Sequence, residues 1–181
     1  MLQIVVPERE YYDYVKEEFM TVKSQKLLLE HSLISVSKWE SKWKKPFFSK
    51  EAKTSVETMD YVRCMTLTKD VDPLVYQGLS SDLIKKVTDY IDDSMTATWF
   101  NDRDKKENKR GPVITSELIY YWMVAYDIPF ECEKWHLNRL LTLIKICDIK
   151  NAPSKKMKKK DIYAQNRELN AARKRKLGTN G

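Results

Sequence analysis

Ser32-Leu33-Ile34-Ser35-Val36-Ser37-Lys38-Trp39-Glu40-Ser41-Lys42-Trp43-Lys44-Lys45-Pro46 is the stretch that decides the fold class. Leu33, Val36, Trp39 and Trp43 recur at spacings of three and four, while Lys38, Lys42 and Lys45 fall on other sides. That is the period of an amphipathic helix. Ser32 supplies its N-cap, and Pro46 stops it. Moving outward toward the C-terminus, the same grammar repeats. Thr54-Ser55-Val56-Glu57 is a capping box, and Val56, Met59 and Val62 continue a stripe that ends near Thr68, before Asp72-Pro73. Ser80 or Ser81 opens a third helix with Leu83, Ile84, Val87 and Ile91 on one face. Thr115 or Ser116 opens a fourth, Leu118 to Tyr126, which is apolar nearly all round and stops before Pro129. Such a helix lies in the core or is covered by a partner. A fifth is expected from about Glu131 to Cys147, carried by Leu137, Leu140, Leu141 and Ile144.

Moving outward the other way, the first thirty residues read as extended. Leu2 to Val6 is short and β-branched, and Phe19 to Val22 and Gln25 to Leu29 supply further strands. Pro7 to Glu18, polar with Tyr11, Tyr12 and Tyr14, suits a loop or hairpin tip. Asn101 to Arg110, entirely charged or amide, reads as an exposed loop. Only four glycines occur in 181 residues, which argues against a turn-rich sandwich or barrel. The expected fold is α+β and mostly α. A small N-terminal antiparallel sheet packs on about five helices, and a basic C-terminal helix follows.

The formal net charge of +7 is unevenly distributed. Between Ser154 and Gly181 ten bases face two acids, a net of +8, so residues 1–153 carry −1. The chain therefore divides into a helical body over 1–153 and a basic tail over 154–181. The tail's bases are Lys155, Lys156, Lys158, Lys159, Lys160, Arg167, Arg173, Lys174, Arg175 and Lys176. Three readings of the tail stand side by side: attraction to nucleic-acid phosphates, ordering against an acidic or helical protein surface, and a solvated helix. Tyr163 is its only aromatic, so stacking on bases is weak. In the body, Trp99, placed just before the charged loop, is a candidate contact anchor, since tryptophan is enriched in interface hot spots.

Nothing in the sequence writes a reaction with named residues in roles. The glycines are isolated, so no phosphate loop exists. Cys132 and His136 sit four apart and form half of a zinc site, but no second pair completes it. No catalytic, metal or cofactor residue is assigned. Three cysteines, Cys64, Cys132 and Cys147, form no disulfide framework and suit a reducing compartment. No run of eighteen apolar residues exists, so no membrane partner is expected, and the start lacks the features of a signal peptide.

A likeness is carried by Leu29-Glu30-His31-Ser32-Leu33-Ile34-Ser35-Val36-Ser37-Lys38-Trp39-Glu40, by Asp60-Tyr61-Val62-Arg63-Cys64-Met65-Thr66, and by Ile119-Tyr120-Tyr121-Trp122-Met123. Lys134-Trp135-His136-Leu137-Asn138-Arg139-Leu140-Leu141 and Arg167-Glu168-Leu169-Asn170-Ala171-Ala172-Arg173-Lys174 continue it. From about residue 27 onward the chain resembles a family of small morphogenesis proteins of long-tailed bacteriophages and prophages, of the tail assembly chaperone type. The resemblance implies a non-enzymatic protein of the host cytoplasm. It would bind the tape-measure protein, or another tail protein, during tail assembly and be absent from the mature virion. A homo-oligomer is compatible with it. The basic tail would equally suit a nucleic-acid-binding or minor virion structural protein at the head–tail connection.

Overall fold

The computed structural model describes residues 1–13, 17–100, 113–152 and 159–178. The expected loop over Asn101–Arg110, and Lys155, Lys156 and Lys158, lie outside these residues. Two compact units are present, Met1–Cys147 and Asp148–Gly181.

The first unit opens with four short strands: β1 (Leu2–Val6), β2 (Arg9–Asp13), β3 (Glu18–Val22) and β4 (Gln25–Leu29). β1 pairs antiparallel with β4 from Leu2↔Leu29 to Val6↔Gln25. β2 pairs with β3 from Arg9↔Val22 to Asp13↔Glu18, in the same register. The strands thus form one long hairpin, interrupted at Pro7-Glu8 and Lys23-Ser24. Pro7 has no N–H to give the ladder, and the Ser24 hydroxyl donates to the Val6 carbonyl at 3.0 Å. Arg9–Asp13, expected within a loop or hairpin tip, is a strand of the hairpin's outer half. Its residues are mostly exposed, so it lacks the apolar alternation that marks a half-buried strand. The proximal half does alternate: Ile4, Val6, Leu27 and Leu29 are buried, whereas Val5 is exposed.

The helices begin where the caps predict. α1 (Leu33–Trp43) is capped by Ser32, whose hydroxyl accepts from the Ser35 amide. Lys44, in the left-handed region at φ 54°, ends it before Pro46. α2 (Ser55–Met65) has the full capping box of Thr54 and Glu57. A 3-10 turn over Pro73–Gly78 follows, then α3 (Ser81–Asp92), capped by Ser80. α4 (Ser116–Ala125) is capped by Thr115. The segment expected to start the fifth helix at Glu131 is instead a 3-10 turn, Phe130–Lys134. α5 itself runs Leu137–Asn151, beyond the expected end at Cys147.

α1 packs on α2 and α4, and β1 packs against α3. Val36, Trp39, Val62, Met65, Ile119, Met123, Leu137 and Leu140 form the centre of the core. Gly78 lets the hairpin approach: a Cβ there would stand 3.0 Å from the Tyr11 hydroxyl and 3.2 Å from Val6 Cγ1. Two backbone seams close the unit. Residues after α2 run beside β4, with Glu30 N donating to Met65 O at 2.9 Å and Leu67 N to Leu28 O at 2.8 Å. A bridge joins Ser32 to His136, and Leu137 N donates to His31 O at 2.7 Å. In the second unit, α6 (Lys159–Leu177) carries the C-terminal basic residues.

Candidate functional site

α4 is the apolar helix that must be either core or covered surface, and it divides between the two. Its N-terminus is held from inside. Glu40, buried on α1, accepts from the Ser116 amide through Oε2 at 2.7 Å and from the Phe47 amide through Oε1 at 2.7 Å. A carboxylate at a helix N-terminus also meets the positive end of the helix dipole. At the other end Asp127 adopts φ 51°. Ile128 N donates to Met123 O at 2.8 Å and Asp127 N to Val124 O at 3.3 Å, the bond pair of a Schellman cap. So fixed, α4 buries Ile119 and Met123 completely and turns Tyr121 and Val124 outward, at 65 % and 60 % exposure. These two are three apart and adjacent on the surface. Val113 and Ile114, leading into the helix, are exposed as well. The all-round apolar pattern did not reveal which side faces out.

Trp99 is the most exposed large hydrophobic residue described, at 82 %. Its neighbour Phe100 lies under Lys145 Nζ, 3.8 Å from the ring centroid, so the residue beside Trp99 is tied to α5 by a cation–π contact. A further aromatic pair, Tyr12 and Phe19, sits on the outer half of the hairpin with centroids 5.1 Å apart. Their distal exposure had no signal in the sequence.

On α6, Arg167, Arg173, Lys174 and Arg175 are exposed. Lys159, Lys160 and Lys176 also fall within this helix. Every α6 side chain described is exposed, including Tyr163 and Leu169.

The buried histidines of the body are tied into its packing and hydrogen bonds. His31 Nδ1 shares a hydrogen bond with the buried Tyr61 hydroxyl, and its ring meets that of His136 at 5.1 Å. Burial, reinforced by His136, lowers its pKa to about 3, so His31 is neutral. His136 donates Nε2–H to the Tyr90 carbonyl at 2.9 Å, and Tyr90 donates to Glu30 Oε1 at 2.7 Å. Burial pushes the Cys132 thiol up, away from the thiolate a metal needs. Among the described residues no group of three His, Cys, Asp or Glu is arranged to hold a metal ion. Nor, among them, is any helix long and apolar enough to cross a membrane. A cavity of about 420 Å³ beside His31 is lined by Phe47, Phe48, Lys53, Tyr61 and Asn138. Lys53 is already engaged there: its Nζ donates to Phe47 O at 2.7 Å and lies 4.1 Å from the Phe47 ring centroid.

The chain matches no model of a known protein family, no curated protein and no solved structure.

Proposed function

We propose that this chain is a non-enzymatic phage morphogenesis protein, a tail assembly chaperone that binds the tape-measure protein in the host cytoplasm and leaves before the virion matures. The observation that supports it is the outward face of α4. Tyr121 and Val124 expose apolar surface on a helix that Glu40 at one end and a Schellman cap at the other hold rigid. A rigid helix with an apolar outer face suits a second helix packed against it through positions three and four apart. A tape measure is a long helical rod and offers such faces in series. The likeness of residues 27 onward to the chaperone type supplies the partner's identity, and Trp99 stands as a second anchor.

The test is co-expression with helical fragments of a tailed-phage tape-measure protein, followed by affinity capture. The expected result is capture by the wild type and loss of capture, by tenfold or more, in Tyr121→Glu/Val124→Glu, with the melting temperature unchanged because both residues are exposed. Stoichiometric recovery of the protein in purified virions would sink the proposal.

A further inference from the structure

α6 presents a face that packing on a helical protein does not explain. Tyr163, Asn166, Arg167, Asn170 and Lys174 recur at spacings of three and four, so they form one stripe along the helix. Each of them is exposed. Ala171 lies beside the stripe and leaves room between the longer side chains. Glu168 and Leu169, the described acid and the described aliphatic residue, fall on the far side. By the 100° step of the helix, Arg173 lies about a fifth of a turn off the stripe on one side and Arg175 about a third of a turn off on the other, next to Glu168. A helix that seats in a protein groove needs an apolar row at this spacing. Apart from Tyr163 this row is polar, and among the α6 side chains described the exposed Tyr163 and Leu169 point different ways.

We propose that this face of α6 docks in the major groove of duplex DNA. A helix with its side chains is about 10–12 Å across, and the major groove is about 12 Å wide. From Tyr163 to Lys174 the stripe runs about 16 Å at 1.5 Å per residue. That covers about five base-pair steps of about 3.4 Å. Asparagine pairs bidentately with the adenine edge, and arginine with guanine O6 and N7. Asn166, Arg167 and Asn170 therefore face the bases. Arg173 and Arg175, on opposite flanks, reach the two phosphate walls, where contacts fix position without reading sequence. The surface is distinct from the outer face of α4 and stands or falls separately from the chaperone reading.

The experiment uses the full chain and a labelled 20-base-pair DNA duplex, read by fluorescence anisotropy. Binding is expected at about 50 mM salt, weakening roughly a hundredfold by 200 mM, the change expected when counterions released by about four basic side chains are restored. Arg167→Ala/Arg173→Ala/Lys174→Ala/Arg175→Ala is expected to bind at least about a hundredfold more weakly at 50 mM and with a flatter salt slope. Asn166→Ala/Asn170→Ala is expected to keep the slope and lose the preference for sequences selected from a random pool. Duplex RNA of the same sequence is expected to bind at least about tenfold more weakly, because its major groove is too deep and narrow for side chains to read. All the substituted residues are exposed, and circular dichroism checks that the helix content is kept. The proposal is overturned by no binding at 50 mM, by undiminished binding of the quadruple variant, or by equal binding of duplex RNA or polyglutamate. That last result would mark the tail as a general charge-complementary surface for other partners.

Discussion

Replacing Glu40 strands two donors at once. The amides of Phe47 and Ser116 are both satisfied by its carboxylate, and the residue is buried. An unsatisfied buried donor costs roughly 1–3 kcal/mol, so Glu40→Ala is expected to destabilise by about 3–5 kcal/mol in urea unfolding. Glu40→Gln keeps one acceptor oxygen and is expected to cost about half as much. A loss below about 1 kcal/mol for the alanine variant would show that the two amides find other partners. Nothing near Glu40 in the sequence announces this role, since Ser116 lies 76 positions away. The caps at Ser32, Thr54, Ser80 and Thr115 were legible for the opposite reason. Each is made within three residues, so the pattern contains both partners.

At the scale of elements, helix starts were easier to read than helix ends or exposed strands. The end of α4 is set by Asp127 in the left-handed region, where glycine is the usual occupant. An exposed aspartate there carries strain that glycine does not. Asp127→Gly is therefore expected to stabilise the protein by about 0.5–1 kcal/mol, visible as a raised melting temperature. A lowered one would mean that the Asp127 side chain holds the cap by a contact of its own. The Phe130–Lys134 turn was mistaken for the first turn of α5 because a 3-10 turn and an α-helix share a similar apolar period over so few residues. β2 turns only Tyr11 toward the core among its described side chains, so its sequence shows little of the apolar alternation that marks a half-buried strand. On the functional side, the bases of α6 were legible as a list. Their sorting into a stripe with flanking arginines needed the helix register.

For the molecule as a whole, acid is the predicted weakness. His31 has a folded pKa of about 3 against 6.5 in the unfolded chain. Below pH 6.5 the unfolded chain takes up a proton that the folded one refuses. Stability is therefore full above pH 6.5 and falls by roughly 1.4 kcal/mol per pH unit toward pH 3. Glu57, lowered to about 2 by Lys45 and the Thr54 cap, adds a loss in the same direction below pH 4.5. Urea midpoints between pH 7 and 5 read the window between the unfolded and folded values of His31, above the range in which Glu57 takes up a proton. His31→Gln is expected to flatten the slope in that window whatever its absolute stability; an unchanged slope would assign the effect elsewhere. The seam that buries His31 also bears on how the chain is made. Its carbonyl waits for the amide of Leu137, and the bridge beside it joins Ser32 to His136. During synthesis the hairpin and the first two helices emerge early, but they hold an open flank until residue 137 follows. Closing so long a loop is slow, so nascent chains stalled before that point expose the seam to proteases and to one another.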